Sequence, residues 1–205
     1  MGQVVENRAV PATASPEWEV LWHPTAAFSR LAQAPLNGRW VCWRRPLFFA
    51  LVIGCTVSLL TARSLGLRLV LSATATWTFV PLLEIASLAA VWRWRRCPLP
   101  LAATIDLFFV GNAPWTLWLI ASGVFWASSP QLISSPTAAY TWLGSAGAIL
   151  AWCAYLDLCF WRIAMKRSLP AALGDLVLQH ALAWVPGILI FGAGSLRVDL
   201  ERLWP

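Results

Sequence analysis

Between Arg96 and Arg162 this chain carries only two charged residues, Asp106 and Asp157. A stretch so long and so apolar cannot cover a water-soluble domain. Soluble chains carry about 25% charged residues, whereas 12% of this chain is charged and 59% is hydrophobic. The medium that suits such a chain is lipid, and the expected fold is an all-α transmembrane helix bundle.

A hydrocarbon core about 30 Å thick takes roughly 17 to 25 apolar residues of helix. By that measure five spans are expected, near residues 46–62, 69–92, 101–127, 137–161 and 176–196. The third and fourth separate at Ser128-Ser129-Pro130-Gln131 and Ser134-Ser135-Pro136, a cluster of turn-forming residues. Four spans would result if residues 46–62 only re-entered the bilayer. Residues 1–45 then form a cytoplasmic N-terminal segment with a flexible start. Pro24 could open a short interfacial helix there, carrying Phe28 and Leu31 before Pro35 and Gly38 stop it. Residues 197–205 form a short tail.

Charge sets the orientation. Positive residues concentrate in cytoplasmic loops, and alternate loops share a side. Eleven of the fifteen Lys and Arg residues fall on the side of the N-terminus and four on the other. The N-terminus is therefore expected in the cytoplasm and the C-terminus outside, in a bacterial inner membrane. Trp40, Trp43, Trp92, Trp94, Trp126 and Trp161 fall at span ends, where indole suits the headgroup layer. Trp77, Trp115, Trp118, Trp152 and Trp184 lie deeper and are expected to pack the bundle.

Ionisable groups inside a bilayer are costly and mark candidate sites. Glu84, Asp106, Asp157 and His180 all fall in the cytoplasmic half, on four different spans, and could form one polar layer. Glu84 and Asp106 come at matching depth on consecutive helices, so they are expected to meet and share a proton. The layer reads either as interhelical hydrogen bonds that hold register or as a relay or cavity for a polar ligand. The structural reading is preferred, and Asp157 and His180 lie shallow enough to snorkel. Pro81, Asn112 and Pro114 are the helix-break candidates, since proline removes a backbone donor. Gly144, Gly147, Ala148 and Ala151 form a stripe on which another helix could pack closely.

No catalytic constellation emerges. Gly144-Ser145-Ala146-Gly147 looks like a serine nucleophile, but Ser145 and His180 differ in depth by about 10 Å on helical rise. The aspartates lack the surroundings of an intramembrane aspartyl protease, and no nucleotide-binding glycine loop occurs. Cys42, Cys55, Cys97, Cys153 and Cys159 are odd in number and irregular in spacing, which argues for neither a disulfide framework nor a zinc site. No enzyme, cofactor or nucleic-acid partner is expected.

His23-Pro24 followed by Phe28, five closely spaced spans, Pro114 in the third and the basic exit Trp161-Arg162 to Lys166-Arg167 make residues 23–196 similar to the Yip-domain family of small polytopic membrane proteins. The resemblance implies five helices and a cytoplasmic N-terminus. Eukaryotic members bind Rab-type GTPases, but their Asp-Leu-x-Gly-Pro and Gly-Tyr motifs are missing here, so no site residue carries over. The expected role is non-enzymatic, through helix packing or contact with a membrane-protein partner or a second copy. The alternative is a small transporter or channel subunit that uses its intramembrane acids.

Overall fold

The computed structural model of the chain describes residues 15–35, 40–132 and 135–203, and these contain helices and turns but no strand. Two short helices come first, α1 (Pro16–Trp22) and α2 (Pro24–Gln33). Ser15 caps α1 by accepting from the Trp18 backbone N–H, with Pro16 directly inside, a strong start signal. The long elements follow: α3 (Val41–Ala62), α4 (Leu67–Trp77), α5 (Phe79–Arg95), α6 (Leu101–Val110), α7 (Ala113–Ser128), α8 (Pro136–Cys159) and α9 (Leu169–Leu203).

Four of the resulting rods are long and apolar enough to cross a bilayer: Val41–Ala62, Leu67–Arg95, Pro136–Ala164 and Leu169–Leu189. They give the chain the build of an integral membrane protein. A fifth is obtained if Leu101–Val110 and Ala113–Ser128, bent by 49° at their junction, count as one span. The span on which the count turns is thus the third, not the first. Its bend falls at Gly111 and Asn112, with Pro114 in the first turn of α7. The second rod is interrupted at Thr78, where Pro81 supplies no N–H to continue the ladder from Trp77. Arg63 and Arg96 end α3 and α5 in left-handed conformation, with φ of 51° and 50°.

The first span begins at Val41, five residues before its expected start, and so takes Arg44 and Arg45 into the helix. The fourth ends in a π-helical turn, Phe160–Ala164. Its first two residues, Phe160 and Trp161, are fully buried. Phe28 of α2, also fully buried, meets Phe160 edge-on at 6.1 Å. The N-terminal helices therefore pack into one end of the bundle, where an interfacial position was expected for Phe28. The flexible start (residues 1–14) and the Gly38 stop lie outside the described residues. The backbone of α9 runs helically through most of the expected tail to Leu203.

The core is polarised. Every residue from Ala103 to Val110 of α6 is buried. Against α3, two glycines allow close approach. A Cβ at Gly54 would lie 2.8 Å from the Thr74 nitrogen, and one at Gly123 would lie 3.3 Å from Thr56 Cα. By contrast, α8 is mostly uncovered. A Cβ at Gly144 or Gly147 would meet nothing within 4 Å, so the small-residue stripe packs against no described helix.

Candidate functional site

The four polar residues picked from the sequence separate into two environments. Asp106 lies on buried α6 and is 4% exposed. Arg44 donates to it from Nε at 3.1 Å and from Nη2 at 3.4 Å, and Arg45 Nη1 pairs with its Oδ2. Arg45 also holds Glu17 of α1 through Nη2 at 2.8 Å. Partial burial works against ionisation of Glu17. A backbone hydrogen bond and the Arg45 contact outweigh it, and the carboxyl is held below its ordinary range. Two acids and two guanidiniums thus form one network at the end of the bundle closed by α1 and α2.

Asp106 therefore does not share a proton with Glu84. The expectation fails because α3 starts early enough to bring Arg44 and Arg45 beside α6. The bend at Gly111 and Asn112 then presents an amide to Glu84. Asn112 Nδ2 donates to Glu84 Oε2 at 3.1 Å.

Glu84, Asp157 and His180 do come together. They line a cavity of about 570 Å³ with Asn112 and Gln179, drawn from α5, α8, α9 and the α6–α7 bend. Asp157 is 3% exposed and Gln179 1% exposed, so Asp157 is buried and does not snorkel. Gly111 lets α8 approach here, since a Cβ on it would lie 3.2 Å from Asp157 Oδ1. His180 Nδ1 lies 3.0 Å from the Leu176 carbonyl. A carbonyl only accepts, so Nδ1 carries the hydrogen. The other ring nitrogen, Nε2, is 3.5 Å from Asp157 Oδ2. That approach is attractive only when one proton resides on the pair, on the imidazole or on the carboxyl. Gln179 Nε2 donates to Ser87 Oγ at 3.3 Å, while Gln179 Oε1 and Asp157 Oδ1 accept no hydrogen bond.

Aromatic rings complete the wall. Trp77, Trp115 and Trp184 line the cavity with Phe49 and Phe108. A smaller cleft of about 290 Å³ shares Trp77, Val80, Glu84 and Trp184 with it and continues between α5 and α9 past Leu83 and Ile188. Among the described residues, no three of His, Cys, Asp and Glu gather closely enough to hold a metal ion.

Comparison with known proteins finds no matching family model, curated protein or solved structure. The site must therefore be interpreted from its own chemistry. A buried carboxylate surrounded by cations is satisfied and inert. A carboxyl beside an amide, an imidazole and open volume can still take a partner.

Other positions differ from their sequence reading. Trp126 is 9% exposed and Trp161 is fully buried, so neither ring forms part of a lipid-facing belt on this chain, whereas Trp40 is 80% exposed. Trp115 stacks on Trp118 of α7, and Trp142 of α8 meets Trp118 at a tilt of 31°. Ser145 accepts from Trp118 Nε1 at 3.0 Å and donates to the Trp142 carbonyl at 2.7 Å. Sequence reasoning missed Asp175, fully buried between Arg95 at 2.7 Å and Arg167 at 3.0 Å. It also missed Gln179 as part of the site. The signal was available for Gln179, a polar residue within an otherwise uncharged span and next to His180.

Proposed function

We propose that this chain is a small multi-pass membrane protein that binds a small polar or charged molecule inside the bilayer, as a transporter or channel subunit does. Its N-terminus would lie in the cytoplasm of a bacterial cell, its C-terminus outside and its spans in the inner membrane. The observation that carries this reading is that Glu84 and Asp157, on separate helices, line one cavity and are not sealed against arginines. A volume of about 570 Å³ falls within the range of about 300–1,000 Å³ usual for small-molecule sites. The bend at Asn112 supports it as well, because broken helices near the midplane recur at transport sites. The packing and partner role implied by the Yip resemblance draws support from a different place, the uncovered face of α8 at Gly144 and Gly147.

The test is chemical access to the cavity. Ala154 lines it, so Ala154→Cys protein in membrane vesicles is treated with 2-aminoethyl methanethiosulfonate and the adduct is located by peptide mass spectrometry. Modification of the folded protein at position 154 is expected. Protection in the folded protein, with full modification after unfolding in dodecyl sulfate, would mean a sealed interior and would favour the packing role.

A further inference from the structure

We infer that the molecule bound in this cavity is a small organic cation, an ammonium with an apolar body. The inference rests on the binding role proposed above and specifies the ligand class.

The lining has more acids than bases. It contains the carboxyls of Glu84 and Asp157, no lysine or arginine, and one imidazole, His180, whose Nε2 already faces Asp157 at 3.5 Å, so that Glu84 has no basic partner. The nearby cations are committed elsewhere, Arg44 and Arg45 to Asp106, and Arg95 and Arg167 to Asp175. Among the lining residues, the buried side-chain atoms left without a partner have one sign too. Asp157 Oδ1 and Gln179 Oε1 are both acceptors, both buried and both without a donor. Buried polar groups are nearly always paired, so the shortfall calls for a donor, which an ammonium N–H supplies. A quaternary ammonium, which has no N–H, would be held by charge and by the rings instead.

The rest of the wall selects the kind of cation. Indole faces attract cations, and three indoles, Trp77, Trp115 and Trp184, line the same cavity as the two carboxyls. A bare metal ion would need several convergent ligands, and no such group of His, Cys, Asp and Glu exists among the described residues. A compact hydrated ion would leave the aromatic walls and the adjoining cleft past Leu83 and Ile188 without contact. A cation with an apolar body uses both, its charged centre near Glu84 and Asp157 and its hydrocarbon part between α5 and α9.

The experiment uses the full chain in lipid nanodiscs and radiolabelled benzyltrimethylammonium in equilibrium dialysis. Two competitors are added separately, its uncharged carbon isostere neopentylbenzene and the anion benzenesulfonate. The expected result is saturable binding of the cation, displaced by excess unlabelled cation and by neither competitor. Glu84→Gln and Trp115→Leu should each weaken it by at least tenfold, and Trp152→Leu, on the exposed side of α8, should leave it unchanged. Displacement by neopentylbenzene equal to that by the cation would overturn the charge selectivity, as would preference for benzenesulfonate. If the cation does not bind while Ala154→Cys is modified, the cation inference falls and the binding role stands. If neither occurs, both fall. The comparison of cation with isostere needs no variant, so it decides the matter even if a substitution prevents folding.

Discussion

The two halves of this bundle treat buried acids in opposite ways. At the end closed by α1 and α2, Asp106 is enclosed by Arg44 and Arg45, and Arg45 reaches on to Glu17. Along the cavity, Glu84 has an asparagine amide and Asp157 an imidazole, and among the described residues no guanidinium reaches either. Packing around the glycines is unequal as well, with Gly54 and Gly123 pressed against neighbouring helices and Gly144 and Gly147 facing open space. The lesson is that the burial of an acid in a membrane does not reveal its role. Its partners do, because a carboxylate matched by cations holds helices together, and one left with neutral partners keeps its capacity for a ligand.

The largest effect should come from breaking the sealed network at its hub. The Arg45 side chain is 12% exposed and serves two carboxylates. Arg45→Met leaves Asp106 with Arg44 alone, and loss of about 3 kcal/mol is expected by analogy with other broken buried pairs. Denaturation of the detergent-solubilised protein measures it. A loss no greater than that of a surface substitution would remove the distinction between the two halves.

Packing gives the next effect. The added methyl of Gly54→Ala would fall 2.8 Å from Thr74 N and 2.9 Å from Thr74 Cα. Because backbone atoms cannot rotate away, α4 must shift, at a cost of about 1–3 kcal/mol. Gly144→Ala meets nothing within 4 Å and should be silent in the isolated chain. Equal melting temperatures for the two variants would show that the contrast in packing has no energetic weight.

The smallest effect concerns Glu17, whose carboxyl is held below its ordinary range beside Arg45. A lowered native value means that this contact stabilises the protein above pH 4.5, the unperturbed value. The contribution disappears as pH falls through the lowered one. With 42% of the side chain exposed, Glu17→Gln should cost under about 1 kcal/mol at neutral pH. The variant and wild type should converge in stability below that range. A difference that grows in acid would contradict the assignment.

Much of the fold was legible because lipid imposes long apolar runs, and those runs stand out in the sequence. The break between α6 and α7 could be read from Gly111-Asn112-Ala113-Pro114, and the start of α8 from Ser135-Pro136. What could not be read was rotation about each helix axis. Depth alone put Asp106 level with Glu84, while the face it presents to α3 sends it to Arg44 and Arg45. Counting a span from its first uncharged residue hid those two arginines, since helix α3 begins before its apolar run does. The π turn had no sequence signal, and the buried Trp161 lies within it. Three of the four chosen polar residues share the cavity, and Gln179 joins them through its place next to His180.

The central claim is that Asp106 serves the fold and Glu84 serves a ligand, and paired neutralisation tests it most directly. Asp106→Asn and Glu84→Gln keep size and hydrogen-bonding capacity while removing one carboxyl each. Thermal unfolding of both variants and the wild type is compared in the same detergent, without ligand. Asp106→Asn should lower Tm clearly, because two guanidiniums lose their buried counter-charge. Glu84→Gln should leave Tm unchanged or raise it, since its carboxyl has only Asn112 as partner among the described residues. A fall for Glu84→Gln as large as that for Asp106→Asn would contradict the account and return Glu84 to a structural role.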